Sequence, residues 1–402
     1  MSERNRRDWT AETSLSPYNE ENAGRSPSRV YVADCTLRDG EQQAGLVFSP
    51  ERKVKIARAL ADLGIYEIEA GTPAVSKDDR DAVEAIAALP GVKVSALSMS
   101  RKRDIDLVAS TGVWGIRVSL PAGALQMKYK LGISETEYVE QARTMTEYAK
   151  GKGLYVIFSP YDTTRSERGF LERMLKAVTA SGAVDRLRLV DTVGCATPTA
   201  IQRLVEIMRE SSAGVPIEVH VHDDFGLATA NTVAGVLGGA EYVSTSMISL
   251  GERSGNAATE QVVVALELLY GIDTGVCLER LTESAALVSA FSGVALPPNT
   301  PVVGSNSFTH ESGLVTAGVL REPFTGEPYR PGLVGQRRRI IAGKMSGSQA
   351  VRSWLMERGR VADDLAVDTL LEKVKARAAY LERALTDDEV ETLAVETLAA
   401  EP

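Results

Sequence analysis

An α/β fold, a (β/α)8 TIM barrel followed by a loop-rich lid and a small helical C-terminal module, is what this sequence predicts. Three observations carry the prediction. Eight short β-branched or apolar runs recur through the first two-thirds of the chain, with starts roughly thirty residues apart, the size of a βα unit. Amphipathic helical patterns lie between them, and several end in glycine, as a helix C-terminus should. The loop after the first run reads Arg38-Asp39-Gly40-Glu41, not the glycine-rich loop that a doubly wound open sheet would place there. Eight alternating units and no ninth make the arithmetic of a closed barrel.

The runs, in order, are VYVADCT (30–36), IYEIEA (65–70), KVSALSM (93–99), GIRVSL (115–120), LYVIFS (154–159), RLRLVD (186–191), IEVHVH (217–222) and YVSTSM (242–247). Six helical patterns stand out between and after them: ERKVKIARALADLG, DAVEAIAALPG, ETEYVEQARTMTEYAKGKG, PTAIQRLVEIMRE, LATANTVAGVLGGA and TEQVVVALELLYG. Ser49-Pro50 and Thr197-Pro198 place proline at a first helical position, where its missing N–H costs nothing. Residues 1–29 read as a polar N-terminal arm and 30–275 as the catalytic barrel. A Pro/Gly-rich lid at 276–345 and a helical subdomain at 346–402 follow, with acidic last residues expected to fray.

Composition excludes several classes of function. The chain has 402 residues, 44% hydrophobic and 25% charged, too long for one average domain and ordinary for a globular enzyme. Its net charge of -9 offers no basic field to nucleic acid or anionic lipid. Three scattered cysteines argue against a disulfide framework and fit a reducing, cytoplasmic setting. No run of 18 apolar residues is present to span a membrane, and the N-terminus lacks the apolar core of a secretory signal.

In such a barrel the active site lies at the C-terminal ends of the strands. Those ends carry Arg38-Asp39, Glu69, Tyr161-Asp162-Thr163, Asp191-Thr192, and His220 with His222, and the loop after the eighth strand carries Glu252-Arg253-Ser254-Gly255-Asn256. Residues i and i+2 of a strand share a face, so His220 and His222 can meet one ion, and Asp39 is the natural third ligand. Two nitrogens and one hard oxygen suit a divalent cation such as Zn, Mn, Mg or Co. The facial triad of non-heme iron oxygenases uses the same set, but usually on all-β folds. Hydrolase barrels with HxH need further histidines, and only His310 remains. Beside such a site, Arg38 reads as a stabiliser of developing oxyanion charge, with Glu69 holding it in a fixed fork from the neighbouring strand.

TLRDGEQQAG (36–45), IEAGTP (68–73), VDTVGCATP (190–198), VHVHDDFGLATAN (219–231) and GERSGNAATEQV (251–262) together resemble the DRE-TIM metallolyases, in their Claisen-condensing branch of homocitrate and 2-isopropylmalate synthases. FTHESGLVTAGVL (308–320) and PGLVGQRRRIIAGKMSG (331–347) extend the likeness into the lid. The resemblance implies a metal on Asp39, His220 and His222, with Asn256 as a further ligand. It implies that Arg38 polarises the 2-oxo group with Glu69 in support, and that Thr192 and Gln42 help bind the acceptor. The enolate of acetyl-CoA would attack the carbonyl carbon, thioester hydrolysis would release CoA, and His310 would assist the thioester half. It further implies a homodimer in which lids are exchanged.

Departures from the family pattern are local. Ser159-Pro160-Tyr161-Asp162 places Tyr161 where the synthases carry a catalytic glutamate, and Met345 stands for the lid's usual histidine. Gly326 falls where a lid tyrosine is expected, and PAGALQMKYK shows no evident grip for a second acceptor carboxylate. Tyr161 therefore reads as a wall of the acceptor pocket, and the acceptor as a non-standard 2-oxo acid. Two other classes compete: a carbon–carbon lyase of the hydroxymethylglutaryl-CoA lyase type, and a non-catalytic metal-binding relative. The lyases carry a cysteine in the loop after the eighth strand, and GERSGNAATE has none. The run Gln336-Arg337-Arg338-Arg339 reads as a solvated basic face, with a grip on CoA phosphates as its other reading.

Overall fold

A computed structural model describes Thr10, residues 14–22 and residues 27–399. Most of the expected arm 1–29 and the last three residues thus lie outside the described residues. Two compact units result, one spanning Tyr18–Leu296 and the other taking in the chain from Pro297 onward.

The first unit is the expected closed barrel, with strands in the order β1 to β8. They are β1 Tyr31–Asp34, β2 Glu67–Glu69, β3 Lys93–Met99, β4 Gly115–Pro121, β5 Tyr155–Tyr161, β6 Arg186–Asp191, β7 Ile217–Val221 and β8 Tyr242–Thr245. Every pairing is parallel, and β1 closes on β8 with Ala33 beside Ser244. The helices expected from the pattern form, and their caps follow the sequence. Ser49 accepts from the Arg52 N–H ahead of Pro50–Asp62, and Thr197 from the Ala200 N–H ahead of Pro198–Ser211. In this unit three helices of nine or more residues escaped the pattern reading: Lys102–Ser110, Arg168–Thr179 and Leu281–Ser292. The first two complete the βα alternation, and the third precedes the end of the barrel unit.

The barrel interior departs from the branched apolar layers such barrels usually carry. Alternate residues of each strand point inward, and here Glu67 and Glu69, Arg117, Arg186 and Arg188, and Glu218 fall on that series. All six are buried. Arg117 donates to Glu67 Oε1 at 2.7 Å and to Glu218 Oε1 at 2.6 Å, and Arg186 to Glu218 Oε2 at 2.7 Å. The guanidinium of Arg186 also lies 3.6 Å from the ring centroid of Tyr242, which stacks on Tyr31 at the barrel floor. Three arginines thus face three glutamates. Desolvating them is costly, and losing one partner costs about 3–5 kcal/mol, so the column is over-determined by mutual pairing.

The second unit pairs β9 Thr309–His310 with β10 Arg339–Ile340 in parallel. Its helices Ser348–Glu357, Asp364–Leu381 and Asp387–Leu398 share a core built on Val351, Trp354, Leu370, Val374 and Val390. The acidic tail is ordered further than expected. Thr386 and Glu389 form a capping box, and three acidic residues in the first turn favour the helix dipole. No helix among the described residues is long and apolar enough to cross a membrane.

Candidate metal centre and active site

Asp39, His220 and His222 converge at the mouth of the barrel, all three buried, with ligand atoms within 4.8 Å of one another. β7 delivers His220 between Val190 of β6 and Ser244 of β8. His222, just past the strand, bridges to Asn256 in the loop after β8. The Nε2 atoms of His220 and His222 lie 3.5 and 4.0 Å from Asp39 Oδ2. A cation with bonds of about 2.1 Å sets its ligand atoms roughly 3–3.5 Å apart, so small side-chain movements suffice. His222 Nδ1 and Asn256 Oδ1 are buried without a hydrogen-bond partner, which such sites rarely tolerate unless another atom completes them. The donor set therefore fits a divalent cation.

Electrostatics suits the same reading. Burial, then the nearby charge of Arg188, pushes His220 down to about 3, and burial also lowers His222, so both imidazoles are neutral at pH 7. Burial alone would raise the Asp39 carboxyl, but Arg38 and the two histidines together hold it well below the usual range. Glu69 behaves likewise: Arg188, Arg38 and Arg117 outweigh its burial and bring it to about 2.

Arg38 is locked. It donates to Glu69 from Nε at 2.5 Å and from Nη2 at 3.1 Å, and its Nη1 donates to Asp39 Oδ2 at 2.5 Å. Gln42 is exposed and makes a long 3.4 Å contact with the same Nη1. Asn256 donates to Asp39 Oδ1 at 3.1 Å, which fixes the rotamer of Asp39 and leaves the Asn256 carbonyl oxygen free. Thr192 Oγ1 accepts the Asp162 N–H at 2.8 Å, so its own proton is available to another acceptor. Tyr161 ends β5, half-buried, with Lys130 Nζ 5.3 Å from its ring centroid. Burial and the charge of Asp162 push its phenol up, away from phenolate. Asp162 itself is buried and held by Arg165 at 2.8 and 2.9 Å.

His310 belongs to the second unit. Its Nε2 lies 3.2 Å from Oε1 of the buried Glu327, which also takes two 2.7 Å bonds from Arg338. Arg338 is therefore a partner of Glu327, not part of a freely solvated basic face.

Sequence reasoning missed the residues behind the site. Arg188 donates to Glu69 and to Ser244, Ser244 contacts His220, and Arg253 ties Asp224 to the Thr192 carbonyl. The signal was present: Arg186 and Arg188 share an alternation face in RLRLVD, as do Glu218, His220 and His222 in IEVHVH. Asp223 and Asp224, which follow the histidines, serve elsewhere, Asp223 by accepting the Ala228 N–H and Asp224 by pairing with Arg253.

The family model described as HMGL-like matches residues 29–288, and one described as homocitrate synthase post-HMGL domain-like matches 302–382. The chain is 45% identical to a probable 2-isopropylmalate synthase of Ignicoccus hospitalis, over 87% of this chain and 88% of that one. It is 44% identical to the homocitrate synthase AksA of Methanopyrus kandleri, over 91% and 92%. Among solved structures, the HMG-CoA lyase of Bacillus subtilis superposes with a TM-score of 0.62 at 25% identity, covering 68% of this chain and 97% of that one. Barrel, following domain and relatives agree, and the chain belongs to the HMGL-like family, in the branch that joins this barrel to a homocitrate-synthase-type second domain.

Proposed function

We propose that this chain is an acyltransferase that condenses acetyl-CoA with a 2-oxo acid, giving a 2-hydroxy-2-carboxymethyl acid and free CoA. The observation that carries the reading is the Asp39–His220–His222 cluster beside an Arg38 clamped by Glu69. A divalent cation (Zn, Mn, Mg or Co) held by Asp39, His220 and His222, with Asn256 Oδ1 at hand, would supply Lewis acidity and a template for the acceptor.

The residues of the chain divide the remaining work. Arg38 presents a guanidinium that cannot deprotonate to the 2-oxo oxygen, where negative charge grows as the new carbon–carbon bond forms. Its plane is set in advance, so little reorganisation accompanies the reaction. Thr192 offers its hydroxyl proton to the acceptor carboxylate, and Gln42 closes the outer side of Arg38. The deprotonated methyl carbon of acetyl-CoA bonds to the 2-oxo carbon, whose oxygen becomes a hydroxyl. Water then cleaves the thioester and frees CoA. His310, oriented by Glu327, serves this thioester half. Release of CoA that requires both a 2-oxo acid and a divalent metal tests the reading, and release without acceptor would contradict it.

Tyr161 sets the acceptor. A phenol pushed above its ordinary value is a poor base at neutral pH, and a ring at the end of β5 narrows the pocket that the family's glutamate would leave open. Tyr161→Phe should therefore keep most of the turnover with the native acceptor. Tyr161→Glu should move preference toward the acceptors of the named relatives. Turnover roughly a thousandfold lower in Tyr161→Phe, with metal still bound, would make the phenol catalytic.

The assembly we propose is a cytoplasmic homodimer in which the lid around His310 serves the partner's barrel. The cysteines Cys35, Cys195 and Cys277 are odd in number and far apart in the sequence, a pattern that suits a reducing compartment. Mixing inactive Arg38→Ala chains with inactive His310→Ala chains, under conditions of subunit exchange, should restore part of the activity. No recovery despite demonstrated exchange would mean that each lid serves its own barrel.

A further inference from the structure

Arg188 lies in the middle of β6 on the inward series, with a side chain only 2% exposed. Its Nε sits 2.7 Å from Glu218 Oε1, which anchors the guanidinium to the ion-pair column below. Its Nη2 reaches upward in two directions. One bond goes to Glu69 Oε2 at 2.9 Å, and the other to Ser244 Oγ at 2.6 Å. Glu69 is the carboxylate that clamps Arg38. Ser244 Oγ lies 3.0 Å from His220 Nδ1. A single nitrogen therefore stands behind both halves of the site, the guanidinium and the metal-side imidazole.

Hydrogen-bond bookkeeping permits two directions for this contact, and ligation of a metal through Nε2 selects one of them. Arginine can only donate, so one lone pair of Ser244 Oγ is taken by Arg188. The other lone pair is free to accept the Nδ1–H of His220. That tautomer leaves a lone pair on Nε2, the atom facing Asp39 Oδ2 at 3.5 Å. Metal-binding histidines generally donate their other N–H to a fixed acceptor, which sets ring plane and tautomer. Here the acceptor is a hydroxyl whose orientation depends on the arginine behind it.

We propose that Arg188 is a positioning residue that couples the two halves of the site. Through Glu69 it holds the plane of Arg38, and through Ser244 it fixes the tautomer and orientation of His220. The proposal rests on the metal-dependent condensation proposed above. Glu218 anchors the hub, so site geometry is tied to the barrel's interior charge network and not to the loops at its mouth.

Four proteins test it: wild type, Ser244→Ala, Arg188→Lys and the double variant that completes a cycle. In metal-free protein, selective 15N-histidine NMR reads the tautomer directly, and a chain with three histidines makes assignment tractable. Wild type should show His220 with its proton on Nδ1, and Ser244→Ala a mixture. This readout needs no metal and no turnover, so it stands apart from the functional reading, which fails if wild type neither binds a divalent cation nor releases CoA.

Zinc affinity, measured by competition with a chromogenic chelator, should fall about 10- to 100-fold in Ser244→Ala. Its kcat should recover at saturating metal. Arg188→Lys should lose affinity similarly, but its kcat should stay low at saturating metal with KM for the acceptor little changed, because Arg38 has lost its support. The double variant should bind zinc no more weakly than Arg188→Lys alone, as expected for two residues on one path. If Arg188→Lys does not fold, Ser244→Ala carries the test, since it removes one oxygen from an intact column. Wild-type tautomer and zinc affinity in Ser244→Ala would overturn the proposal, as would a folded Arg188→Lys with normal kcat.

Discussion

Replacing His220 and His222 together by alanine should leave a folded barrel that retains no divalent cation and releases no CoA above background. The two imidazoles are neutral, buried and aimed at one carboxylate oxygen, and no other described residues form a comparable cluster of histidine, cysteine and carboxylate ligands. Asp39→Ala should behave similarly, with an added fault: Arg38 Nη1 loses the oxygen it donates to at 2.5 Å. Folding should survive the histidine changes, because the ion-pair column below the site is untouched. Metal analysis of the purified proteins beside circular dichroism decides the matter. Full stoichiometric metal in the double variant would sink the assignment of the ligands.

Arg38→Lys should lower kcat by about 10²- to 10³-fold, the usual cost of removing one preorganised donor from a developing oxyanion, while metal binding persists. A lysine keeps the charge but has one nitrogen, so it cannot span both oxygens of Glu69 and still face the acceptor. Glu69 would not be stranded, since Arg188 and Arg117 still face it, and the loss should therefore appear in turnover more than in melting temperature. Near-normal kcat would reduce Arg38 to a structural ion pair.

The barrel was readable because its signal is periodic. β3 and β6 fall where the sequence places them, and the other strands shift by a few residues at their ends. The convergence of the candidate ligands was readable for a geometric reason: a closed parallel barrel brings all its strand ends to one mouth, so Asp39 and His220 come together although 181 positions separate them. Arg188 was not readable in the same way. A charged residue inside a strand ordinarily marks a solvent face, and only closure of the sheet turns that face into an interior. Its partners Glu69 and Ser244 lie 119 and 56 residues away, with no local pattern joining them. Lys102–Ser110 escaped for a different reason, being a nine-residue helix rich in charge with only Ile105 and Val108 buried.

The Glu327–His310 pair illustrates a third limit. Glu327 sits in a proline- and glycine-rich stretch that carries no helical or strand period. The β9–β10 pairing brings His310 near Arg338, the residue before β10, and Glu327 bonds both. Such a contact belongs to tertiary structure alone.

Incubation of the holoenzyme with doubly 13C-labelled acetyl-CoA and a panel of 2-oxo acids, with product masses read against free CoA, tests the central claim most directly. The account predicts one favoured acceptor, converted to a 2-hydroxy acid that carries both labelled carbons, with CoA released in equal amount and only when a divalent metal is present. A protein that binds its metal yet yields no labelled product from any acceptor, or that instead cleaves a 3-hydroxyacyl-CoA thioester to acetyl-CoA, would contradict it.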